Sequence, residues 1–137
     1  GAAGQLRLIT MGPTDLHVER LREREPELQL QRLPDGSQLI SIPNVALPAG
    51  WNKPATAVHL VAPQGYPFAQ PDCFWTEADL RLSSGALPQN SGLSTPIPHM
   101  PRLAAVRFSW HLQAWNAARD DLLTWLTVIR QRLGQPV

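Results

Sequence analysis

The stretch Gly65-Tyr66-Pro67-Phe68-Ala69-Gln70-Pro71-Asp72-Cys73-Phe74-Trp75 decides how the chain is to be read. Its first half belongs to a proline-rich connection, Pro63 to Pro71, where each proline fixes its own backbone and removes a donor. Its second half turns aromatic, so Asp72 to Thr76 reads as a short strand. Upstream, Thr56 to Val61 is almost wholly apolar and reads as another strand. Before that, Leu28 to Leu33 alternates apolar and polar through Arg32, the pattern of a half-buried strand. Pro34-Asp35-Gly36 is a turn, and Gln38 to Ile42 resumes as a second strand, giving a hairpin. Pro43, Pro48 and Gly50 make the next segment loop-like or edge-like.

Farther out, Thr14 to Glu25 reads as a helix with Thr14 or Asp15 as cap and Pro13 stiffening its entry. Leu16, Val18 and Leu21 would face the core, and Pro26 ends the helix. Downstream, Glu77 to Arg102 has no period and is rich in Ser, Gly, Pro and Asn. Loops this long inside a compact domain are usually functional or disordered. Val106 to Trp110 reads as a brief extended piece. Ala117 to Leu133 predicts an amphipathic helix, with Leu122, Trp125, Leu126, Ile129 and Leu133 at helical spacing. Asp120 and Asp121 fall in its first turns, Arg130 and Arg132 near its end, and Gly134 stops it. The predicted order is an N-terminal helix, an antiparallel three- to four-stranded meander, a long irregular segment and a C-terminal helix. That order defines an α+β domain.

Composition narrows the function classes. The 137 residues suit one domain, which is long enough to fold without disulfide or metal staples. Residues 1–13 read as an N-terminal extension or leader, either a cloning remnant or a stretch ahead of a native start at Met11, and 14–137 as the domain. The first residues lack the charged-then-apolar pattern of a signal peptide. A net charge of +1 with interspersed signs gives no basic groove for nucleic acid and no membrane-binding face. No apolar run has the length of a membrane span. Cys73 is the single cysteine, so it forms no internal disulfide and no thiolate zinc site, which fits a reducing, cytoplasmic setting. The four histidines show no metal-ligand spacing, and neither metal nor cofactor is expected. Lys53 is the only lysine, a bias that suits a GC-rich genome.

The Tyr66-Pro67 pair, the following proline and the aromatic strand resemble the ubiquitin-conjugating-enzyme superfamily, as does Trp115 just before the long helix. Phe108-Ser109-Trp110-His111, with Pro71-Asp72-Cys73-Phe74-Trp75 and Trp115, is similar to the bacterial branch called prokaryotic family E, from about Asp15 to Leu133. The resemblance implies the ubiquitin-conjugating fold, with the irregular segment at the active-site edge. It also implies partners: a bacterial ubiquitin-like protein, an activating enzyme that adenylates its C-terminus, and often a metal-dependent deconjugating peptidase. Catalytic members carry a His-Pro-Asn motif and then a cysteine ahead of the tryptophan. Here that cysteine's position falls near Val106 or Arg107, and Pro88-Gln89-Asn90 and Pro98-His99-Met100 only echo the motif. The extra helices beyond the long one are expected to be absent.

Candidate chemistry follows from residue type. Ser109 takes an acyl group as an oxyester if a base removes its proton, and His111 is the natural base near neutral pH. On a strand, residues two apart point the same way, so both would meet one cleft. Alternatively, Ser109 bonds to backbone and His111 packs in a satisfied core. Asn90 would steady an oxyanion, as the family's Asn does, or serve as a turn residue. Cys73 is the alternative nucleophile, or else a buried structural cysteine among Pro71, Phe74 and Trp75. His99 reads as a loop histidine. Trp51 is an exposed partner anchor or a plug of the sheet edge, and Trp110 is a second partner-binding candidate. Two roles follow. One is an acyltransferase of ubiquitin-conjugating type without the usual cysteine, passing a ubiquitin-like protein to a target. The other is a catalytically inactive variant that binds and positions that protein or its activating enzyme.

Overall fold

A computed structural model describes residues 12–137. The expectation of a leader therefore falls, except for Gly12 and Pro13, outside the described residues. Helix α1 (Pro13–Arg24) is followed by strands β1 (Gln29–Arg32), β2 (Gln38–Ala46), β3 (Ala55–Ala62) and β4 (Phe74–Glu77). Then come β5 (Ser91–Gly92), β6 (Ala105–Phe108) and helix α2 (Leu122–Leu133). One six-stranded sheet runs in the order β1-β2-β3-β4-β6-β5, with every neighbour antiparallel.

Strand alternation gives the sheet two faces. Ile40, Ile42, Val58, Leu60, Phe74, Val106 and Phe108 point to the inner face, where α1 contributes Val18 and Leu21 and α2 contributes Leu122, Trp125, Leu126, Ile129 and Leu133. Phe74 stacks on Phe108 at 4.6 Å, and Trp125 meets Phe74 edge-on at 6.5 Å. The outer face carries Leu39, Cys73, Trp75 and Ala105, closed by Leu33 and Ile97. The period-free 77–102 stretch is thus pinned on both faces: Leu80 and Ile97 are fully buried, and the Trp75 indole donates to the Thr95 carbonyl at 3.0 Å.

Several elements differ from the sequence reading. α1 is capped at Gly12, whose N–H donates to Asp15 Oδ2 at 3.4 Å, and Leu16 is 42% exposed, not in the core. β1 is wholly exposed because it is an edge strand paired only with β2; its flanking Leu28 and Leu33 are the buried residues. β2 continues through Pro43, where a register shift between Ile42 and Val45 absorbs the missing donor. The Asp35-Gly36 turn forms as read, with Gly36 at φ 88° and Asp35 accepting the Ser37 N–H at 2.9 Å.

His59 on β3 lies opposite Ser41 of β2, and its Nδ1 is 2.7 Å from Ser41 Oγ. Burial lowers its pKa below the ordinary 6.5, against an upward pull from Glu77. The folded state therefore favours neutral His59. This contribution to stability is present above pH 6.5 and is lost as pH falls through the folded pKa. The melting temperature should decline as pH drops from 6.5 to about 5, before carboxylates titrate. His59→Gln should lessen that decline, to which the half-buried His17 also contributes; an unchanged slope in a scanning-calorimetry series would assign it elsewhere.

Candidate functional site

The site is built where β5, β6 and the irregular 109–121 segment meet α2. β6 ends at Phe108, and the Ser109 N–H still donates to the Asn90 carbonyl at 2.8 Å, extending the β5–β6 ladder by one bond. Asn90 has φ 59°, a left-handed conformation that Asn tolerates better than most residues. It is therefore a turn residue and also part of the site wall.

Beyond Ser109 the chain is irregular, fixed by Trp115. The Trp115 indole donates to the Pro67 carbonyl at 2.7 Å, and its ring lies 6.1 Å from Tyr66. Tyr66 in turn places its hydroxyl 2.6 Å from His17 Nδ1 on α1, and the Tyr66–Pro67 bond is cis. Burial, acting first, and Asp121 raise the Tyr66 pKa, while burial lowers that of His17. The two segments that carried the family resemblance, 48 residues apart, are thus in direct contact.

The helix begins at Leu122, not at Ala117. Asp120, only 7% exposed, accepts the Asn116 N–H at 2.8 Å, and its own N–H donates to the Asn116 carbonyl at 2.7 Å. That closed loop consumes residues 116–120. Asp121 then caps α2, accepting the Thr124 N–H at 3.0 Å while Thr124 Oγ1 accepts the Asp121 N–H at 3.2 Å.

Ser109, His111, Asn90 and Trp110 all border one groove of about 670 Å³, whose apolar walls include Leu112 and Val128. Ser109, Asn90 and His111 are exposed. No hydrogen bond joins Ser109 to His111 among the described residues. The sequence reading missed Asp72, whose Oδ1 lies 3.9 Å from His111 Nδ1. No local signal marks that pair, because the two residues are far apart in sequence and meet only through the antiparallel pairing of β4 with β6.

Arg132 supports this groove from behind. It is 4% exposed, and burial lowers its pKa from the usual arginine value. Its guanidinium carbon lies 5.2 Å from the centre of Phe108 and 5.5 Å from that of Trp110, the two residues flanking Ser109. It donates to the carbonyls of Gln89 (2.9 Å), Gln135 (2.9 Å) and Val137 (3.0 Å).

Two candidates lie elsewhere. Trp51 is not an exposed anchor: it is 6% exposed, and its indole donates to the Leu133 carbonyl at 2.8 Å. It packs there because Gly50, at φ 109°, lets Pro136 approach so closely that a Cβ would sit 2.5 Å from the proline ring. Cys73 is 6% exposed, just ahead of β4 instead of within a strand, at φ 64°; its N–H donates to the Trp110 carbonyl at 2.8 Å. It does not line the groove. His99 is a loop residue 3.6 Å from Asp35. Among the described residues no cluster suits a metal ion, and no helix is long and apolar enough to cross a membrane.

Residues 16–135 match the family described as Prokaryotic E2 family E, so the chain belongs to that family, an E2-like class of conjugation component. Comparison with curated proteins and with solved structures gives no match.

Arg132→Met keeps an apolar stem but removes every donor. It should destabilise the fold by about 2–3 kcal/mol in urea titrations, because three carbonyls lose charged partners; a loss below about 0.5 kcal/mol would deny Arg132 its structural weight. Cys73 in the native protein should react with a thiol reagent far more slowly than in the unfolded chain. Equal rates would show that the sulfur is accessible.

Proposed function

We propose that this chain accepts the activated C-terminal glycyl group of a bacterial ubiquitin-like protein as an oxyester on Ser109 and passes it to a target. The observation that carries the reading is that Ser109, His111 and Asn90 line one groove while Cys73 is buried outside it. Family membership supports a protein partner such as a ubiquitin-like protein; the reading adds that protein's activating enzyme and leaves room for a deconjugating peptidase in the same pathway.

In this reading Ser109 Oγ attacks the carbonyl carbon of the activated glycyl group. An Oγ–C bond forms, and the bond to the activating enzyme's leaving group breaks. The Oγ proton passes to His111 and from there to the leaving group. Asp72, whose Oδ1 lies 3.9 Å from His111 Nδ1, stands where it would meet the imidazolium that forms. The Asn90 amide faces the oxyanion that forms on the way. Transfer reverses the pattern: the acceptor's nucleophile bonds to the carbonyl carbon, the Oγ–C bond breaks, and a proton returns to Oγ. Trp110, Leu112 and Val128 give the incoming tail an apolar bed.

The absence of a Ser109–His111 hydrogen bond favours the second role, a binding module that positions the ubiquitin-like protein without carrying it. A charging assay with the cognate activating enzyme, ubiquitin-like protein and ATP separates the two. The carrier yields an adduct that survives thiol, is cleaved by mild hydroxide and is absent from Ser109→Ala. His111→Gln should slow charging by about a hundredfold or more. Thiol-sensitive charging that disappears in Cys73→Ala would move the nucleophile to the cysteine. Binding without any charging would leave the binding module.

A further inference from the structure

Arg107 stands on β6 opposite Trp75 of β4 and Gly92 of β5, so its side chain lies on the outer face of the sheet. Its Nη2 is 3.2 Å from Cys73 Sγ. A thiol sulfur is a weak acceptor, and a guanidinium presents five N–H donors in a planar fork. No Asp or Glu pairs with Arg107 among the described residues. Among the described residues, the Cys73 sulfur is the fork's one hydrogen-bond partner.

The fork borders a polar pocket of about 320 Å³, completed by Asn90, Ser91, Gly92, Ser94, Thr95 and Ser109. The lining holds one cation, several hydroxyls and no carboxylate, which is the chemistry that receives a small oxyanion. The floor is open at Gly92, where an added Cβ would meet no atom within 4 Å. The pocket also shares Asn90 and Ser109 with the apolar groove. A peptide lying along the groove and past Ser109 would reach Arg107.

We infer that the Arg107 pocket binds the free C-terminal carboxylate of a peptide chain seated in the groove. This rests on reading the groove as the place of the partner's tail, but not on acylation of Ser109. A planar carboxylate matches the guanidinium fork in a way that a neutral amide does not. The unactivated partner would thus be held with its last residue beside the serine.

The test uses the full chain, isotope-labelled for amide NMR, and three probes: a glycine-ended pentapeptide as free acid, the same peptide as C-terminal amide, and inorganic phosphate. The free acid should bind about tenfold more tightly than the amide, with shifts at Gly92 and Ser109. Arg107→Gln should reduce the acid to the level of the amide. Gly92→Val should do the same by filling the pocket without altering its charge, so a folding defect in one variant does not decide the matter. Equal binding of acid and amide, no binding of either, or a preference that survives both variants would overturn the proposal. Phosphate binding more tightly than the acid would overturn it in favour of a free-phosphate site. A chain that never charges on Ser109 but keeps the acid preference loses the carrier reading and retains this one; a chain that charges without the preference does the reverse.

Discussion

The Arg132 guanidinium is the interaction on which the site depends. It is a buried cation lying over two aromatic rings and hydrogen-bonded only to main-chain carbonyls. Burying such a charge is costly unless its donors are satisfied. Here the satisfaction comes from three places at once: the turn before β5, the residues just after α2, and the rings on either side of Ser109. The arginine thereby fixes where α2 ends relative to β5 and β6. Asn90 follows directly on the carbonyl it holds, and Ser109 sits between the two rings it covers. The geometry of the groove is a consequence of where one charge finds its partners.

The two faces of the sheet divide the remaining work. The inner face supplies the large apolar core with both helices, joined to each other by the Arg130–Glu25 ion pair. The outer face is closed by a chain segment without regular structure, held by Ile97 and by the Trp75–Thr95 hydrogen bond. An irregular segment that is nevertheless buried at defined points can carry exposed polar groups in fixed positions. Asn90, Ser91 and Ser94 owe their placement to it.

The alternating and apolar strands, the Asp35-Gly36 turn and the spacing of Leu122, Trp125, Ile129 and Leu133 were legible because each is written in consecutive residues. The helix start was not. Ala117 to Asp121 has helical composition, but the side chains of Asn116, Asp120 and Asp121 bond to nearby backbone and defer the helix to Leu122. Trp51 was undecidable from sequence because its partner, the Leu133 carbonyl, lies at the far end of the chain. Of the site, Ser109, His111, Asn90 and Trp110 were read from residue type and resemblance, and they do converge on one groove. Asp72, Arg107 and Arg132 escaped notice because their roles arise only from strand pairing and helix docking. Arg132 in particular reads in sequence as an ordinary basic residue at a helix end.

The cysteine position that the resemblance implies, Val106 or Arg107, corresponds to β6, where Val106 is buried in the core and Arg107 borders a polar pocket. In the proposed carrier reading the acyl group is taken by a group just beyond the strand, the Ser109 hydroxyl. The direct measurement is peptide mapping by mass spectrometry of the chain after incubation with its activating enzyme, ubiquitin-like partner and ATP, digested under mildly acidic conditions that preserve esters. A glycyl remnant on the peptide containing Phe108-Ser109-Trp110, localised to Ser109, is the expected result. A remnant on Cys73 or Lys53, or its absence from every peptide of a chain that binds the partner, would contradict it.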